Sequence, residues 1–172
     1  IKRGLATGEN DFFILPRERI EELNLDMKFF TPILPSPRHL KCNEVFGDKY
    51  GNPRLDIQYF LLNCTLPEEE VKKNYPSIWN YLSKGIDTTA QKYLCKKRKV
   101  WYHQESRSST PFLCSYMGRE SSEHTAPFRF ILNHTRAIAT NSYLMLYPKV
   151  VLQEAIAQTP DMMHEVWDAL HN

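Results

Sequence analysis

The densest run of charged and reactive side chains is Cys95-Lys96-Lys97-Arg98-Lys99-Val100-Trp101-Tyr102-His103, with Arg107 close behind. Bases and aromatics interleave there. Cations can meet phosphates while ring faces stack on a base or pack over a sugar. The competing assignment puts Trp101 and Tyr102 in the core and leaves only the lysines outside; if the segment is a strand, one ring points each way. A second candidate is the polar loop Lys2-Arg3-Gly4-Leu5-Ala6-Thr7-Gly8-Glu9-Asn10-Asp11-Phe12-Phe13. Its two glycines allow close approach to a ligand or a positive φ. Arg3, Thr7 and Asn10 could then donate hydrogen bonds to a phosphate or a base edge, although the same letters also spell a plain turn. The third is Asn133-His134-Thr135-Arg136 with Thr140-Asn141-Ser142, polar clusters between apolar segments. Asn and Arg suit bidentate reading of adenine and guanine, and Asn and Thr equally suit turns and strand ends.

Charge distribution favours the middle of the chain. The 172 residues carry 22 Lys+Arg against 20 Asp+Glu, a net of +2 that by itself points to no partner. Between Lys92 and Arg136, however, lie nine bases (Lys92, Lys96, Lys97, Arg98, Lys99, Arg107, Arg119, Arg129, Arg136) and three acids (Glu105, Glu120, Glu123). That local +6 leaves −4 elsewhere. Such a patch attracts a polyanion, most often a polyphosphate backbone, or is a solvated basic face.

Catalytic signatures are absent from the sequence. There is no phosphate-binding G-x-x-x-x-G-K-[ST] loop, dinucleotide glycine fingerprint, nucleophile elbow or H-E-x-x-H. The histidines His39, His103, His124, His134, His164 and His171 are scattered. Cys42, Cys64, Cys95 and Cys114 form no C-x-x-C pair and have no histidine at zinc spacing, so no metal site is expected. With no leader segment, these are expected to be free thiols in a reducing cytosol, packed as small core residues. Glu68-Glu69-Glu70 reads as a helix start, since acids favour the positive end of the dipole. A magnesium-dependent nuclease needs a carboxylate cluster with a lysine nearby, and Glu70-Val71-Lys72 has only the tail of one. The chain reads as a binder, and as a piece cut from a longer protein.

These candidates must be held by a mixed set of elements. Six glycines and 42% hydrophobic residues exclude collagen-like and disordered chains, and no apolar run approaches a membrane span. Eleven prolines argue against a helical bundle. Apolar runs predict strands over 12–15, 56–63, 112–116, 128–132 and 137–146, while residues 29–40 are extended or looped and 48–53 form a turn. Prolines open predicted helices at 17–23, 67 onward, 76 onward (ended by Gly85), 148–157 and 160–170, and another is expected over 88–96. The expected fold class is α+β: a single domain with a mixed, mostly antiparallel sheet, flanking helices and a helical part at about 148–172.

Three motifs in this order carry a resemblance. RGLATGENDFFIL at 3–15, R-x-x-WY at 98–102 and FILNHTRAIATNSYLMLYP at 130–148 resemble the C-terminal specificity domain of adenine-specific DNA methyltransferases, the TaqI-like target-recognition region of restriction–modification enzymes. The resemblance spans nearly the whole chain, with 29–90 matching in layout more than in letters. It implies a parent enzyme that moves a methyl group from S-adenosylmethionine to N6 of a flipped-out adenine. The catalytic domain of such enzymes precedes this one and carries an Asn/Asp-Pro-Pro-aromatic motif. Asn52-Pro53-Arg54 does not qualify. The fragment is therefore expected to be non-catalytic, to bind no S-adenosylmethionine, and to select the double-stranded DNA sequence beside its own catalytic domain. Phosphate contacts are expected from Lys96, Lys97, Lys99 and Arg107, and base reading from some of Arg98, Arg119, Asn133, Arg136 and Asn141. A protein-interaction module of a phage-defence complex is the alternative, since Arg, Trp and Tyr are also enriched in protein interfaces.

Overall fold

The computed structural model of the chain describes residues 1–115, 128–159 and 161–171. It is an α+β structure that divides into two compact units, neither continuous in sequence. The first comprises Ile1–Leu5, Leu34–Leu55 and the described part of Arg107–Asn172; the second comprises Ala6–Ile33 and Asp56–Ser106.

The first unit is built on a mixed, mostly antiparallel sheet. Its strands are β1 (Lys2–Arg3), β4 (Glu44–Val45), β6 (Phe112–Ser115), β7 (Arg129–Asn133) and β8 (Tyr143–Leu146), in the order β1-β8-β6-β7-β4, with only β4 and β7 parallel. Every residue of β6 is buried, as a central strand requires. The predicted strand over 137–146 is shorter than expected. Residues 137–140 instead run as a buried irregular segment, joined to Leu5 through an isolated parallel bridge at Thr140. Leu34 N–H donates to Ile138 O, and Leu5 N–H to Ala139 O. Two helices follow, α6 (Val150–Gln158) and α7 (Met162–His171).

The second unit holds the antiparallel sheet β2-β5-β3, formed by Ile14–Pro16, Tyr59–Leu62 and Phe30–Ile33. The run expected as a strand over 12–15 divides. Residues Asn10–Phe13 form the single turn α1, and β2 begins at Ile14. Local polar chemistry overrides the apolar run here: Glu9 N–H donates to Thr7 Oγ1 at 3.1 Å, and the amides of Phe12 and Phe13 both donate to Glu9 O. Helix α2 (Arg17–Glu22) follows Pro16, α3 (Glu68–Asn74) follows Pro67, and α4 (Pro76–Ser83) begins on Pro76. The helix expected over 88–96 is broken at Lys92, which is extended at ψ 144°, into a 3-10 turn at Thr89–Gln91 and α5 (Tyr93–Lys96). Beyond it, residues 97–102 form turns rather than a strand.

Cys64, Cys95 and Cys114 are buried free thiols, and burial pushes all three thiols up from their ordinary pKa. Cys42 is also free but half-buried. No helix among the described residues is long and apolar enough to cross a membrane.

Candidate nucleic-acid interface

The second unit brings together two features that lie over 80 residues apart in sequence. The loop 6–10 rests on α5 and the turn after it. Thr7 O faces the Cys95 thiol at 3.9 Å, and Gly8, at φ +89°, packs so closely that a Cβ there would lie 2.8 Å from Cys95 Sγ. Arg98 closes the arrangement. Its guanidinium donates to Ala6 O at 3.0 Å and to Trp101 O at 3.4 Å, with Cζ 5.9 Å from the centre of the Phe13 ring. Arg98, expected to read a base, thus spends its donors on carbonyls of its own chain. Its fixed fork suits this bracing role, because two carbonyls are served by one planar group.

What this frame leaves outside is cationic. Lys96, Lys97 and Lys99 are exposed, as is Asn10, whose Oδ1 accepts from Thr7 Oγ1 at 2.6 Å. Thr7 itself is buried and serves the turn rather than a ligand. The ring exposed beside the lysines is Tyr93, at 69%. Lys97 Nζ sits 4.2 Å from its centroid and contacts its hydroxyl. Tyr93 was not singled out in the sequence. The signal was its i,i+4 spacing to Lys97 on one helical turn.

The two aromatics expected at this surface are placed differently. Trp101 is half-buried against Phe12 and Phe13, with ring centroids 5.7 and 6.1 Å away. Tyr102 is 0% exposed, and its hydroxyl donates to Leu66 O at 2.7 Å. With every ring face covered it cannot stack on a base, so it is a core residue. Burial, with smaller effects of Cys64 and Glu68, pushes its phenol up to about 12. An unfolded tyrosine ionises at about 10. The stability gained by keeping this phenol neutral is therefore whole below ~10 and is lost as pH rises through the folded value. Tyr102→Phe is expected to cost about 1 kcal/mol at neutral pH and to soften the alkaline decline above pH ~10; urea unfolding at a series of pH values measures both.

The remaining candidates belong to the first unit. Asn133, expected to read a base, is 3% exposed. Its Nδ2 donates to the carbonyls of Thr110 and Ala137, and its Oδ1 accepts from the Thr135 amide and hydroxyl. Its amide is saturated by the fold. Arg3 on β1 is exposed, Arg107 and Asn141 are half-buried, and Arg136 is exposed. Arg119 lies outside the described residues. Arg136 lies against the 48–53 turn, its N–H donating to Gly51 O at 2.8 Å. Asp48 Oδ1 ties that turn by accepting from the amides of Tyr50 and Asn52. Its tip presents Tyr50, Lys49 and Arg54 as exposed side chains, with Lys49 Nζ 4.9 Å from the Tyr50 centroid. This second cation–aromatic group was legible in the sequence only as a turn.

The described residues therefore form a non-repeating α+β domain with paired lysine–tyrosine surfaces on each unit. The family model for the C-terminal domain of Type II methyltransferase M.Eco57I matches residues 1–160, and the chain belongs to that family. Among curated proteins, it is 27% identical over 145 residues to Type II methyltransferase M.AccI of Acinetobacter calcoaceticus, a stretch covering 83% of this chain and 25% of that protein. It is 28% identical over 118 residues to Type II methyltransferase M.MjaIV of Methanocaldococcus jannaschii, covering 68% of this chain and 37% of that protein. The chain thus spans only about a quarter to somewhat over a third of the length of these relatives.

Proposed function

We propose that this chain is the target-recognition domain of a site-specific N6-adenine DNA methyltransferase of a restriction–modification system, in a TaqI-like specificity role. In this reading it grips double-stranded DNA and selects the site. The methyltransferase catalytic domain of the same protein holds S-adenosylmethionine and modifies the flipped-out base, and the chain itself is non-catalytic. Family membership supplies the methyltransferase context. The observation that carries DNA contact is the exposed Lys96, Lys97 and Lys99 beside the exposed ring of Tyr93.

The roles divide by chemistry. Lysines pair with phosphates as point charges and carry no sequence information. Tyr93 packs over a sugar. Base-edge reading falls to Arg136 and Asn141, with Arg3, Arg107, Asn10 and the Lys49–Tyr50–Arg54 tip as backbone contacts. Arg98, Tyr102, Thr7 and Asn133 hold the fold. The test is fluorescence anisotropy of the chain with labelled duplex DNA of random sequence at low salt. Replacing Lys96, Lys97 and Lys99 with alanine is expected to weaken binding on the order of tenfold or more, equally for all sequences. Unchanged affinity in that variant would point to a protein partner for this surface instead.

A further inference from the structure

A cluster in the first unit lies outside the DNA-facing groups. Glu44 on the edge strand β4 points its Oε1 at two imidazoles, accepting from His134 Nε2 at 2.8 Å and from His164 Nε2 at 2.7 Å. His134 directly follows β7, and its N–H donates to Val45 O at 2.9 Å, which fixes it beside the edge strand. His164 stands in the first turn of α7. The three donor atoms lie within 4.8 Å of one another. The rings are also held from behind: Phe46 stacks on His134 at 5.0 Å with the planes 5° apart, and Trp167 meets the His164 ring edge-on at 6.3 Å. Trp167 is itself anchored, its Nε1–H donating to Phe130 O at 3.3 Å. Burial raises the Glu44 carboxyl, but the hydrogen bonds and charges of the two histidines outweigh this and leave it below its ordinary value.

We infer that Glu44, His134 and His164 form a binding site for a borderline-soft divalent transition-metal ion of the zinc class, which fastens α7 to the edge of the sheet. Two imidazole nitrogens and one carboxylate oxygen are the donor set such ions prefer, with water completing the coordination; magnesium and calcium demand more oxygen. Bonds of ~2.1 Å place tetrahedral donors ~3.4 Å apart, inside the range of separations from 2.7 Å up to 4.8 Å that these atoms span; each neutral imidazole would present its Nε2 lone pair to the ion and carry its proton on Nδ1, and the Glu44 carboxylate would exchange its two hydrogen bonds for the metal bond. The ring contacts of Phe46 with His134 and of Trp167 with His164 restrict how far either imidazole turns. Sequence spacing hid the site, because its members are separated by 90 and 30 residues.

The test uses the 172-residue chain, stripped with a chelator and titrated calorimetrically with zinc chloride. A parallel cobalt(II) titration is followed by visible absorption, and hydrogen exchange reports on α7. One saturable site is expected, with slowed exchange of the Met162–His171 amides on adding zinc and no response to magnesium. Affinity is expected to fall at least tenfold in His164→Ala, which alters a half-exposed side chain and leaves the sheet intact, and in Glu44→Gln. It should be unchanged in Cys42→Ser, which removes the thiol nearest in sequence. Absence of saturable binding, wild-type affinity in His164→Ala, or loss of binding in Cys42→Ser would each overturn the assignment.

Discussion

Gly4→Ala is expected to abolish the native state of the first unit, read as a collapsed urea midpoint or loss of a cooperative transition. An added Cβ would lie 2.0 Å from Thr140 O, 2.6 Å from Thr140 C and 2.7 Å from Ala139 O. All three are backbone atoms, so no side-chain rotation relieves the clash. The segment they belong to is pinned where it stands. Gly4 N–H donates to Tyr143 O, Leu5 N–H to Ala139 O and Asn141 N–H to Leu5 O, each at 2.9 Å. Either those bonds break or β1 leaves β8. Overpacking alone costs up to about 3 kcal/mol, and each abandoned backbone bond adds about 1 kcal/mol. Gly8→Ala is the milder comparison. Its positive φ costs ~1–2 kcal/mol, and its tight neighbour is a thiol that can shift. A Gly4→Ala protein with a wild-type midpoint would show that the close approach at Thr140 is wrong.

Asn133→Ala is the second large effect, and it separates a structural role from a reading role. Truncation strands two carbonyls and two donors in a site where Asn133 is 3% exposed. Each unsatisfied buried group costs ~1–3 kcal/mol, and some water entry recovers part of it. A loss of about 3–5 kcal/mol in urea unfolding is expected on that basis. DNA affinity per folded molecule should be unaltered. The opposite pattern, a stable protein with lost sequence discrimination, would return Asn133 to the DNA interface.

The sequence made the elements more legible than the roles. Prolines at 16, 67 and 76 marked helix starts because ring geometry acts locally. The all-apolar run at Tyr59–Leu62 marked a central strand because it is covered on both faces. Roles depend on what lies opposite a side chain after folding. Arg98 and Asn133 have the letters of base readers, yet the carbonyls of Ala6, Trp101, Thr110 and Ala137 meet them first. Tyr102 is a residue type suited to a stacking platform, and its 0% exposure and its bond to Leu66 O show it facing inward. The opening glycine motif resembled a DNA-facing loop, whereas Gly4 is required by Thr140. Conversely, Tyr93 lies within the single helix expected over 88–96, whereas the break at Lys92 sets the short α5 apart with the Tyr93 ring outside.

We propose that a cationic surface on α5 and its following turn grips the phosphate backbone of DNA. Its most direct test is the dependence of log Kobs on log salt for the intact chain with random duplex, compared between the wild type and the variant carrying alanine at Lys96, Lys97 and Lys99. If these three lysines each neutralise a phosphate, the slope should become shallower by about 2.7, since each contact contributes ~0.9, while circular dichroism stays native. Coincident slopes and affinities for two equally folded proteins would contradict the account.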